Sequence, residues 1–197
     1  MFPFSDDLGG GGPIFTESCN DITTWTDGDG GDAASTQVTF DGKGTFKFDS
    51  GTSAGAGAAL RTRAPIVIPD KCTLTVRIQN DLLGTIADTD YFRFQFQDAA
   101  NSLMLEVRIG SDGVFIFDGT TSNEVGTNIN TLDQWDVYQF AIDFPDSKCA
   151  DVLLNGVSQG TDFALRSTSQ GANEINIQQF GATTDGMISY VDYLTVE

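Results

Sequence analysis

Arg77, Arg93 and Arg108 are three of only six arginines in this 197-residue chain, and all three fall on the polar phase of alternating apolar runs. Thr75, Gln79, Gln95, Gln97 and Glu106 share that phase. Guanidinium and carboxamide groups present N–H donors in fixed geometry, which suits sugar hydroxyls and carboxylates. Arg77, Gln79, Arg93, Gln95, Gln97, Glu106 and Arg108 are therefore the candidate ligand-binding set, a face for a glycan or a protein partner. The competing reading is a solvated sheet, in which cross-strand pairs such as Arg108 with a neighbouring acid satisfy the charges. Catalysis finds less support, because general acid–base chemistry needs partners held together. Glu106 is the only acid inside the alternating runs over 73–79, 91–97 and 103–109, and no second carboxylate lies two or four residues away. The chain contains no histidine, which removes Ser-His and Cys-His mechanisms and histidine metal sites together. No catalytic residue is assigned, and the protein is expected not to be an enzyme.

A second candidate is the acidic loop Asp27-Gly28-Asp29-Gly30-Gly31-Asp32. Three carboxylates on a Gly-rich loop can converge on a hard cation, and Ca2+ prefers such oxygen ligands. The spacing departs from an EF-hand loop, which carries Gly at its sixth position and Glu at its twelfth. A structural Ca2+ at Asp27, Asp29 and Asp32 is the one cofactor reading the residues offer, set against a plain acidic turn as the default. Cys19, Cys72 and Cys149 are an odd number and no disulfide framework, which favours buried thiols; a bridge between one pair stays open. Most aromatic residues sit at core phase, and Trp135, at a strand start, reads as a lid on the core rather than a sugar platform.

The elements that must position these residues are strands. Leu74, Val76 and Ile78 alternate with Thr75, Arg77 and Gln79; Phe92, Phe94 and Phe96 alternate with Arg93, Gln95 and Gln97. Leu103, Leu105, Val107 and Ile109, and then Tyr138, Phe140 and Ile142, repeat the pattern. A period of two over five or more residues marks a strand with one buried face. Six Asp-Gly pairs and Asn155-Gly156 supply turns, since Asp and Asn tolerate the left-handed region and Gly has no Cβ to clash. About a dozen strands and no capped helical stripe predict an all-β protein of two packed antiparallel sheets. Residues 1–13 end in a Gly-rich stretch and read as a flexible arm; residues 14–197 read as a single sandwich domain.

Composition bounds the rest. A formal net charge of −18 offers no basic footprint for nucleic acid. No run of about 18 apolar residues exists for membrane insertion.

The C-terminal cues are the most specific. They are Trp135-Asp136-Val137-Tyr138, Asn155-Gly156 and a final Asp192-Tyr193. With the earlier hairpin over 38–48, this series resembles a concanavalin A-like (laminin G-like) jelly-roll domain over roughly 15–197. The resemblance implies a jelly-roll β-sandwich whose concave sheet is a frequent ligand surface. It also implies a structural Ca2+ near the first and last strands, where Glu17, Asp21 or Asp192 would serve. Glycosidases of this superfold that carry E-x-D-x-x-E have no counterpart here, and lyases that use Gln-x-His lack their histidine. The first eight residues show neither a basic nor an apolar leader region. The expectation is therefore a non-enzymatic virion surface module, a phage head decoration or tail-associated adhesion protein. Its partners would be other virion or surface proteins, glycans or further copies of itself. A secreted bacterial carbohydrate-binding or adhesion domain is the alternative, and a polysaccharide lyase or hydrolase the third reading.

Overall fold

Period-two alternation and glycine-bearing turns build fifteen strands in the computed structural model, which describes residues 13–52, 58–82, 85, 90–100, 102–126, 132–166, 171–181 and 186–197. Most of the arm over 1–13 lies outside these residues. In chain order the strands are β1 (Phe15–Glu17), β2 (Thr26–Asp27), β3 (Ala34–Phe40), β4 (Lys43–Asp49), β5 (Ala58–Arg63), β6 (Lys71–Leu82), β7 (Phe92–Asp98) and β8 (Leu103–Gly110). There follow β9 (Gly113–Phe117), β10 (Ser122–Gly126), β11 (Trp135–Asp143), β12 (Lys148–Leu154), β13 (Val157–Ala164), β14 (Ala172–Phe180) and β15 (Ile188–Val196). One 3-10 turn, Ile22–Thr24, is capped by the Asp21 carboxylate.

The strands form two antiparallel sheets. The eight-stranded sheet runs β13-β12-β11-β6-β15-β4-β3, with β1 also paired to β15. The seven-stranded sheet runs β10-β9-β8-β7-β14-β5-β2. Between them lie Phe46, Phe48, Leu74, Val76, Ile78, Tyr138 and Phe140 from the first sheet and Phe92, Phe94, Phe96, Leu105, Val107, Ile175 and Ile177 from the second, all fully buried. Each such side chain contributes roughly 1.5–3 kcal/mol by leaving water. Asp41-Gly42 and Asn155-Gly156 close the β3–β4 and β12–β13 hairpins with positive φ at both residues, the mirror-image turn that matches strand twist. The last strand closes on the first: Phe15 registers with Val196, and the Ile14 N–H donates to the Val196 carbonyl at 2.8 Å.

Two expectations change. The polar-phase residues do not share a sheet: β6, with Arg77 and Gln79, belongs to the eight-stranded sheet, whereas β7 and β8, with Arg93 and Arg108, belong to the seven-stranded one. Periodicity tells which face a residue takes, and the crossing between β6 and β7 decides the sheet. Trp135 is not a lid on the core. It registers opposite Gln79 while Tyr138 registers opposite Val76, so their odd spacing sends the two rings to opposite faces.

All three cysteines are buried free thiols. Cys72 and Cys149 both register with Ile142, one on each side of β11. Two strand spacings of about 4.8 Å separate them, beyond the Cα reach of a disulfide.

Candidate active site on the outer face of the seven-stranded sheet

Strand register lays the outward side chains in rows. One row runs Phe115, Arg108, Arg93, Gln178 across β9, β8, β7 and β14. The next includes Glu106, Gln95, Asn176 and Thr62 across β8, β7, β14 and β5. Gln97 lies beyond them, opposite Glu174.

Glu106 is the centre, only 1% exposed. The Arg108 Nε donates to its Oε1 at 2.6 Å, and the Gln95 amide donates to its Oε2 at 3.3 Å. Arg93 Nη1 lies 3.5 Å from Oε1, and Arg166 Nη1, arriving from the segment after β13, lies 3.7 Å from Oε2. A buried carboxylate is tolerated only with such pairing. Each guanidinium is also stacked on a ring: Arg93 at 4.2 Å from Phe180, Arg108 at 4.2 Å from Phe117 and 5.2 Å from Tyr91, Arg166 at 5.4 Å from Phe117. These stacks hold the forks in place. Arg93 also donates through Nε and Nη2 to the Gln178 carbonyl oxygen. Burial pulls the Arg93 guanidinium below its usual pKa, and the charge of Glu106 opposes that pull. Three guanidiniums against one carboxylate make the Glu106 cluster locally cationic, with Glu174 and Glu124 farther along the same face.

The remaining predicted residues lie elsewhere. Arg77 pairs with Asp192 and stacks over Trp135 at 4.6 Å on the outer face of the other sheet. Gln79 lies beside it, its amide donating to Asp81 at 3.3 Å. Asp27, Asp29 and Asp32 do not converge on a metal position. Asp27 accepts the Asp29 N–H at 2.9 Å, Asp29 accepts from Ser35 N–H at 2.7 Å and Leu60 N–H at 2.7 Å, and Asp32 accepts from Thr52 N–H at 3.1 Å. Arg61 Nη1 stands 3.4 Å from Asp27. Glu17 accepts from the Cys19 N–H and the Trp25 indole, both at 2.9 Å. These carboxylates tie loops to strands, and among the described residues no three such groups gather to hold a cation.

Sequence reasoning missed Tyr91's stacking role, Asn176, Gln178 and Arg166. Ile175-Asn176-Ile177-Gln178 alternates strictly, so Asn176 and Gln178 carried the same signal as Gln95. Arg166 follows the end of a strand, where no periodicity points to it.

No protein-family model and no curated protein sequence matches the chain. Solved structures do. A conserved carbohydrate esterase from the Shiga toxin-encoding bacteriophage phi24B superposes with TM-score 0.64 at 14% identity, covering 94% of this chain and 97% of its own. A β-1,3-glucanase from Mycobacterium marinum gives 0.58 at 14% identity, over 95% and 100%. An alginate lyase from a Corynebacterium species gives 0.57 at 13% identity, over 82% and 80%. The fold is a two-sheet jelly-roll β-sandwich. These neighbours overturn the expectation of a non-enzymatic virion surface module: they are carbohydrate-active enzymes, and they lend the virion and decoration terms no support. The expectation that the chain is not an enzyme is corrected with it. Its ground was the lack of a paired carboxylate and of histidine, which excludes particular mechanisms and leaves others open.

Proposed function

We propose that this protein is a polysaccharide-cleaving enzyme that works on an acidic polysaccharide by β-elimination, at the outer face of the seven-stranded sheet. The observation that carries the reading is the convergence of Arg93, Arg108 and Arg166 around the buried Glu106. Alginate lyases on the same jelly roll support it. The laminin G-like character of residues 134–197 belongs to the same proposal, as a description of scaffold only.

A uronate carboxylate would meet the guanidinium of Arg93 and the amides of Gln178, Asn176, Gln95 and Gln97. Arginine forks bind carboxylates in this way, and they stabilise the charge that spreads onto the carboxylate when the neighbouring C5 proton leaves. Without histidine, the proton needs another carrier. Tyr91 is the group in place, its ring 5.2 Å from the Arg108 guanidinium and within electrostatic reach of Arg93. Acting as its phenolate, Tyr91 takes the C5 proton, the C5–H electron pair becomes the C4–C5 double bond, and the C4–O bond breaks. The departing oxygen takes the proton back from Tyr91. Hydrolysis fits less well, because it needs two carboxylates flanking the bond. Glu106 is locked among three cations, and Glu174 accepts from the Asn176 amide at 2.9 Å.

The test is incubation with alginate, polygalacturonate and hyaluronan while following ultraviolet absorbance from the conjugated double bond. Absorbance should rise on at least one polymer and be lost in Arg93→Ala and Tyr91→Phe. New reducing ends without absorbance would indicate hydrolysis and overturn the elimination step. No cleavage of any polymer would overturn the reading.

A further inference from the structure

The outer face of the other sheet carries a feature that the arginine site does not absorb. Most outward positions of β6, β11 and β15 are small or polar, such as Thr73, Thr75, Gln139 and Thr195. Toward one end they give way to partly exposed rings: Phe40 from β3, Tyr190 from β15 and Trp135 from β11 form a cluster, with Tyr193 of β15 opposite Arg77. Phe40 stacks on Tyr190 at 4.1 Å, with planes 11° apart, and meets Trp135 edge-on at 5.9 Å. Exposed rings on a sheet cost solvation free energy unless something covers them.

The rings are held in position by polar contacts. The Trp135 indole N–H donates to Asp41 at 3.0 Å, and the Arg77 guanidinium lies 4.6 Å from the Trp135 ring. Arg77 is in turn paired with Asp192, which also holds Lys43 at 3.3 Å. Lys47 is paired with Asp49 at 2.9 Å. Every cation at the rim therefore already has its carboxylate. Among the described residues an anionic ligand finds no unpaired positive charge at this rim, where the carboxylates of Asp41 and Asp81 also lie.

We infer that Trp135, Phe40 and Tyr190 form a second carbohydrate-binding platform, which takes neutral pyranose units of a polysaccharide. Apolar C–H faces of a sugar ring lie on aromatic rings, and its hydroxyls donate to rim carboxylates such as Asp41 and Asp81. The inference is independent of the elimination reading, since it uses different residues on the opposite sheet.

The chain has two tryptophans, and Trp25 is 3% exposed, so a change in emission on adding a ligand reports Trp135. The experiment adds soluble neutral polysaccharides (laminarin, xyloglucan, galactomannan) to the purified protein. It records emission and, in parallel, mobility in affinity gels. At least one polymer should shift the emission and retard the protein. Tyr190→Ala should weaken retardation at least about tenfold, as loss of an aromatic anchor does. Trp135→Phe, which preserves an aromatic ring, should abolish the emission change while retaining the fold by circular dichroism. Arg93→Ala should leave both readouts unchanged. Absence of binding to all three polymers, or binding that survives Tyr190→Ala and disappears in Arg93→Ala, would overturn the platform. Cleavage assays on acidic polymers do not bear on this outcome.

Discussion

Among the residues of the candidate site, Glu106 has the largest predicted effect on stability. Removing its charge leaves three guanidiniums facing one another at the sheet surface. Breaking a buried pair costs about 3–5 kcal/mol when both partners are buried. Here the arginine side chains keep 18–40% exposure, so Glu106→Gln should cost less, about 2–3 kcal/mol by the same reasoning. The urea midpoint measures this, and an unchanged midpoint would mean that water already screens the cluster. The thiols make a second residue-scale prediction. Burial pushes Cys72 up to about 12 and raises Cys19 and Cys149 further. The thiolate is the reactive form. Iodoacetamide should therefore leave the native protein unmodified and add three groups in denaturant, read by intact mass. Native labelling at any of the three would show that its strand opens.

At the scale of elements, the Asn155-Gly156 turn is a test of how the C-terminal half is built. A Cβ on Gly156 meets nothing within 4 Å, so Gly156→Ala is costly only through its φ of +80°, by about 1 kcal/mol. Asn155 does more: its side chain accepts from Val137 N–H at 2.9 Å and donates to Asp136 at 2.9 Å. Asn155→Ala should cost more than Gly156→Ala and speed amide exchange across β12 and β13; equal effects would reduce Asn155 to its backbone. Such turns were legible in the sequence because Asn-Gly and Asp-Gly have few alternatives between two strands. Strand faces were legible for the same kind of reason, since Phe92, Phe94 and Phe96 can bury only one side. Sheet membership was not. Arg77 and Arg93 carry identical local patterns, and only long-range pairing separates them. The site was accordingly half legible: Arg93, Gln95, Glu106 and Arg108 met, Arg77 and Gln79 did not, and Arg166 came from a segment with no period. The acidic loop misled because Asp-Gly spacing is the same whether carboxylates face a cation or their own backbone.

At the scale of the whole molecule, the −18 charge sets the solution behaviour. Self-repulsion opposes the compact state and is screened by salt. The melting temperature at pH 7 should rise between low and physiological ionic strength; a fall would mean that ion pairs such as Lys71 with Asp143 outweigh the repulsion. Acid works the other way at particular groups. Burial pulls Asp143 up, but the Lys71 side chain and the Asp146 N–H hold it below its usual 3.8, and backbone N–H groups hold Asp98 and Asp118 low as well. Carboxylates depressed in the folded state stabilise it above their unfolded pKa, and that contribution disappears as pH falls through the folded values. Stability should thus fall below pH about 4, although net charge vanishes near the same point. The pairing of β1 with β15 has one more consequence. Ile14 sits on Val196, so residues distant by almost the whole sequence are neighbours in space. The order in which the strands are strung is then separable from the sandwich they make: a circular permutant that joins residue 197 to residue 14 through a short glycine linker and opens at Asp146-Ser147, in the β11–β12 turn, would keep both outer faces.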